Sequence, residues 1–81
     1  MQTIASMSYG SANAVTPSDT APVNCRAIYV GGAGNIAIKT SPSASAVTFT
    51  AVSVGSVLPV AIDGGYIMST NTTATLLVAL A

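Results

Sequence analysis

The sequence predicts an all-β fold: a small β-sandwich or partly open barrel of about six short antiparallel strands with an extended N-terminal arm. Two observations predict it. From Cys25 onward apolar and polar residues alternate with a period of two, as half-buried strands require. Clusters of Gly, Pro, Asn and Ser interrupt that alternation at short intervals, and no stretch reads as a convincing helix.

Residues 1–24 mix Ser, Ala, Thr and Asn with Pro17 and Pro22 and show no periodicity. They read as an extended arm that either lies free or orders itself against a neighbouring subunit. Residues 25–81 read as the β-sandwich domain. In its first strand Arg26, Ile28 and Val30 face one way and Ala27 and Tyr29 the other. Gly31-Gly32-Ala33-Gly34-Asn35 supplies residues for a tight connection, and Ile36-Ala37-Ile38-Lys39 resumes the alternation, which predicts a hairpin. After the loop 40–45, Val47, Phe49 and Ala51 share one face, with Thr48 and Thr50 on the other. Residues 57–62 form the next run, in which Leu58, Val60 and Ile62 share a face and Pro59 marks an edge or bulge. Asp63-Gly64-Gly65 predicts a turn. Strands over 66–69 and 75–80, joined by a turn at Asn71-Thr72-Thr73, complete the pattern.

Charge limits what such a domain can do. The 81 residues include two acids (Asp19, Asp63), two bases (Arg26, Lys39) and no His, for a formal net charge of zero. Two bases cannot build the cationic stripe that phosphate backbones require, so nucleic acid is not an expected partner. Mean hydropathy is high, at +0.68. The uncharged run 40–62 nevertheless alternates and contains Pro42 and Pro59, so it reads as strands and turns, with no membrane span expected. Met1-Gln2-Thr3-Ile4-Ala5 lacks the basic flank and apolar stretch of a secretion signal. Cys25, the lone cysteine, has no disulfide partner within the chain. It reads as a small apolar residue in a reducing compartment.

Catalytic chemistry lacks its parts. There is no His or Glu, and the two Asp residues fall in the arm and in a predicted turn, so no base, nucleophile pair, metal cluster or cofactor site is expected. Gly32-Ala33-Gly34-Asn35-Ile36-Ala37 meets a relaxed dinucleotide fingerprint. A strand follows it instead of a helix, and no acid stands about 20 positions on, so it reads as a turn. Asn71-Thr72-Thr73 is a glycosylation triplet by spelling and a turn by context. Tyr29, Phe49 and Tyr66 read as core or subunit packing, because no basic groove accompanies them as a stacking platform would need. Arg26, Tyr29, Lys39 and Tyr66 are the candidate interface residues. With so few charges in the chain, Arg26 and Lys39 are the ones expected to orient a contact.

Five blocks of sequence carry a resemblance. They are Ala14-Val15-Thr16-Pro17-Ser18-Asp19; Arg26-Ala27-Ile28-Tyr29-Val30-Gly31 with Gly34-Asn35-Ile36; Val47-Thr48-Phe49; Val52, Gly55 and Leu58-Pro59-Val60; and Thr72-Thr73-Ala74-Thr75 with Val78-Ala79-Leu80. In this order they resemble the small head-spike base proteins of gene transfer agents and tailed phages, to which small capsid decoration and cement proteins are related. The resemblance implies a non-enzymatic virion structural protein on the capsid exterior, assembled in the host cytoplasm. Its implied partners are the major capsid protein, other copies of itself and a spike fibre protein. A homotrimer suits three-fold lattice positions and a pentamer suits vertices. The alternative is a bacterial surface or pilus-like adhesion module that binds a glycan or a partner strand by edge pairing.

Overall fold

The alternating segments do become strands. The computed structural model describes residues 9–81, and its elements in chain order are β1 (Ala12–Val15), β2 (Val23–Cys25), β3 (Ala27–Gly32), β4 (Gly34–Lys39), β5 (Val47–Val52), β6 (Val57–Leu58), β7 (Ile62–Ile67) and β8 (Thr75–Leu80). They form two four-stranded antiparallel sheets, ordered β1-β8-β3-β6 and β2-β7-β4-β5. The fold is an all-β sandwich.

The core lies between the sheets. Ile28, Val30, Leu77 and Ala79 enter it from the first sheet, and Cys25, Ile36, Ile38, Val52, Ile62 and Ile67 from the second. Each large aliphatic side chain buried there contributes about 1.5–3 kcal/mol. Among the described residues no charged or polar side chain is buried. Cys25 is buried as the small apolar residue its context suggests, and loss of solvent pushes its thiol pKa up.

Five local expectations are corrected. The described residues contain eight strands where about six were expected, and two of them, β1 and β2, fall largely in the segment read as an arm. Both are edge strands, and β1 is largely exposed, so it shows no apolar alternation. The first eight residues of that segment lie outside the described residues.

The predicted hairpin is absent. Register places Tyr29 against Val78 and Val57 in the first sheet, and Ala37 against Thr48 in the second, so β3 and β4 belong to different sheets. The glycines make a corner here, and close packing explains them: a Cβ on Gly34 would stand 2.6 Å from the Ala74 nitrogen.

Asp63-Gly64-Gly65 lies inside β7 and is not a turn. Val23 faces Gly65 while Asn24 faces Asp63, so Gly64 is an extra residue in a bulge, with φ at +71°. The Asn24 side chain fills the gap, its Oδ1 accepting the Gly64 N–H at 2.8 Å. Gly65 is required for a different reason, because any Cβ there would collide with the Lys39 carbonyl oxygen.

The 57–62 run is also divided: β6 stops before Pro59 and β7 starts at Ile62. Its shared face survives the break, since Leu58 and Val60 pack against the core and Ile62 is buried within it.

β5 carries a second bulge. Gly34 faces Val52 and Ile36 faces Phe49, so β5 has one residue more than β4 over that interval. Ala51 takes up the excess at φ +54°, and its N–H donates to the Asn35 Oδ1 at 3.0 Å. The shift turns Ala51 outward and delivers Val52 to the core, the reverse of the alternation expected past Phe49.

Candidate interaction surface

Strand pairing arranges the outward side chains of the first sheet into rows. Ala12 and Leu80 are neighbours across β1 and β8, with the fully buried Ala27 beyond them on β3. Ala14, Val78, Tyr29 and Val57 form the next row, across all four strands. Leu76 stands over Gly31 in the row beyond, where a Cβ on the glycine would lie 2.7 Å from that of Leu76. Every residue in these rows is apolar or aromatic. Tyr29 is 39% exposed, Val57 44% and Leu76 76%. A contiguous apolar sheet face of this kind is the surface feature that marks protein–protein contact.

Leu76 adds a conformational observation. Its φ of +54° is left-handed, which costs a branched L-residue about 1–2 kcal/mol. Such strain concentrates at functional positions. Here it presents a large hydrophobic side chain to solvent.

The outward face of the second sheet is different. Thr48 and Thr50 are exposed on β5, and Lys39 sits beside Tyr66, with its Nζ 5.6 Å from the ring centroid. Arg26 occupies the crossing between β2 and β3, where its guanidinium lies 5.3 Å from the Tyr9 ring centroid and its backbone N–H donates to the Leu80 carbonyl. The Asp63 N–H donates to the Thr40 carbonyl, next to Lys39. β3 runs into the corner and β4 out of it, and Asp63 faces Asn24 on one side and bonds Thr40 on the other, so Arg26, Lys39 and Asp63 all lie at the end opposite that corner. The corner end carries Ala33, Ala51, Val54 and Leu76, all exposed and uncharged. The molecule is therefore polarised along its strands.

Asp19, the fourth charge, holds a loop. Its carboxylate accepts the N–H groups of Ser69 and Thr70 at 2.8 and 3.1 Å and the Thr70 hydroxyl at 2.6 Å. Those bonds, led by the Thr70 hydroxyl, draw its pKa below the ordinary 3.8.

Of the four candidate interface residues, the structure brings Lys39 and Tyr66 together, puts Tyr29 near the middle of the apolar face and sets Arg26 at the charged end. Tyr29, Phe49 and Tyr66 lie on three different surfaces, and Phe49 packs against the core. Sequence reading missed Leu76, Val57 and Val78. For Leu76 and Val78 the signal was the absence of any polar residue on the outward side of the 75–80 strand, whereas Val57 joins them only through its register with Tyr29. Among the described residues no pocket opens, and no three His, Cys, Asp or Glu side chains gather as a metal site would require.

No family model matches the chain, and no curated protein matches it. Among solved structures it is similar to a chain described as the capsid of a native GTA particle computed with C5 symmetry. The identity is 28% and the TM-score 0.77, covering 91% of this chain and 84% of that one.

Proposed function

We propose that this protein is a non-enzymatic structural component of a virion or gene-transfer particle, bound to the capsid exterior as a homo-oligomeric decoration, cement or head-spike base protein. The likeness to a chain of a GTA capsid, extending over nine-tenths of the sequence, is the observation that carries the reading. The ordered sequence blocks point the same way. The action is mechanical: the apolar face of the β1-β8-β3-β6 sheet packs on the major capsid protein or on a neighbouring copy, removing Tyr29, Val57, Leu76 and Val78 from water. At about 25 cal/mol per Å² even a modest contact becomes firm once many copies repeat it on one lattice. Arg26 and Lys39, at the charged end, orient the docked subunit. A trimer fits lattice three-folds, and a pentamer fits vertices that carry a spike fibre.

Cryo-EM of particles purified from producing cells tests this. Density for the chain on the head is expected with the natural sequence and is expected to vanish with Val78→Asp, which places a carboxylate in the centre of the face. Particles bearing the natural chain with no such density on their heads would sink the proposal.

A further inference from the structure

The four sheet edges are unequal. β1, β2 and β6 have four, three and two residues, whereas β5 has six. β5 pairs with β4 on one side only, so its other side presents an unpaired row of N–H and C=O groups. Natural proteins protect such an edge with Lys, with Pro or with a covering segment. β5 reads Val-Thr-Phe-Thr-Ala-Val, with no charge and no proline. Val47, opposite the core residue Ile38, is still 57% exposed, and Phe49, opposite Ile36, is only partly covered. A four-residue connection brings the chain from β5 to the two-residue β6 at the same side of the sandwich. That side of the core is thus closed by little more than one strand pair.

We infer that β5 pairs antiparallel with β5 of a second copy, joining the two sheets across a two-fold axis. The alternation fixes the register. Odd-numbered residues must meet odd-numbered ones if Val47 and Phe49 are to stay on the core side and Thr48 and Thr50 outside. An axis at Thr48 satisfies this, sets Val47 against Phe49 of the second copy and keeps the bulged Ala51 out of the ladder. The match is self-complementary: apolar side chains cover the exposed part of Phe49, and two Thr48 residues meet on the outer face. A two-fold contact closes on itself, so on a particle it would tie neighbouring oligomers in pairs. The inference rests on the homo-oligomer of the proposed function but not on the identity of the capsid.

Sedimentation and native mass spectrometry of the full chain test it. Thr48→Lys and Thr48→Glu each place like charges on the axis and are expected to weaken self-association roughly tenfold or more. Mixing the two variants is expected to restore association, which a folding defect would not do. Val78→Asp is expected to leave the pairing intact while losing the particle, and Thr48→Lys to reach the particle still, so each reading fails separately. In the natural chain the amides of residues 47–50 are expected to exchange more slowly as concentration rises. A natural chain that stays monomeric at about 100 µM, no rescue on mixing, or exchange at 47–50 that ignores concentration would each overturn the inference.

Discussion

Asp19 is exposed, yet it bonds across a wide gap in sequence to Ser69 and Thr70. Because its pKa is lower folded than unfolded, its contribution is full above the ordinary 3.8 and fades as pH falls through the lowered folded value. Asp19→Asn is therefore expected to melt below the natural protein at neutral pH and alongside it in strong acid, as thermal denaturation followed by circular dichroism would show. Leu76 gives a residue-scale test of strain. Leu76→Gly removes the left-handed penalty at φ +54° while adding chain entropy to the unfolded state. Its stability is expected to be unchanged or up to about 1 kcal/mol higher, with weaker particle binding. An equal fall in stability and binding would show that Leu76 serves the fold and not the surface. Gly65→Ala is the opposite case: its Cβ meets the Lys39 backbone, and a loss of about 3 kcal/mol or more in urea denaturation is expected.

Side chains complete the second sheet where backbone pairing stops. β4 meets β7 only through Ile38 and Lys39. Farther along, the Ala37 and Asn35 N–H groups donate to the hydroxyls of Thr72 and Thr73, each at 2.9 Å. The Asn35 carbonyl in turn accepts the Thr73 and Ala74 N–H groups. Thr72→Val keeps the shape but leaves the Ala37 N–H, on a buried residue, without an acceptor. A cost of about 1–3 kcal/mol is expected, with faster exchange of that amide. These elements also show what the sequence could and could not reveal. Alternation announced β5, whose inward Val47 and Phe49 alternate with Thr48 and Thr50, whereas β3, β4 and β8 were announced by runs of apolar residues bounded by Gly, Asn and Thr. Glycine announced a change of direction but not its kind. Gly32 and Gly34 turn a corner between sheets, and Gly64 makes a bulge, since the distinction depends on which backbone passes close by. β1 has no inward apolar series to detect, and its pairing is fixed by β8, far along the chain. The candidate site was legible only in part: Tyr29 was named from its type, whereas Val57 joins it through cross-strand register alone.

At the scale of the molecule, four charges distributed three to one end and none to the corner end leave little for salt to screen. Docking driven by the apolar face is expected to persist as NaCl is raised to about 1 M, where the Debye length is near 3 Å. Release of the protein from particles at such salt, measured by sedimentation, would mean that Arg26 and Lys39 carry the contact. The corner at Gly32-Ala33-Gly34 bears on force as well as on shape. It makes β3 and β4 one covalent path that belongs to both sheets, as the single residue Arg26 does between β2 and β3 at the other end. When a force pulls one sheet sideways, the pull reaches the other through these peptide bonds. The two layers then shear as a single plate instead of sliding apart.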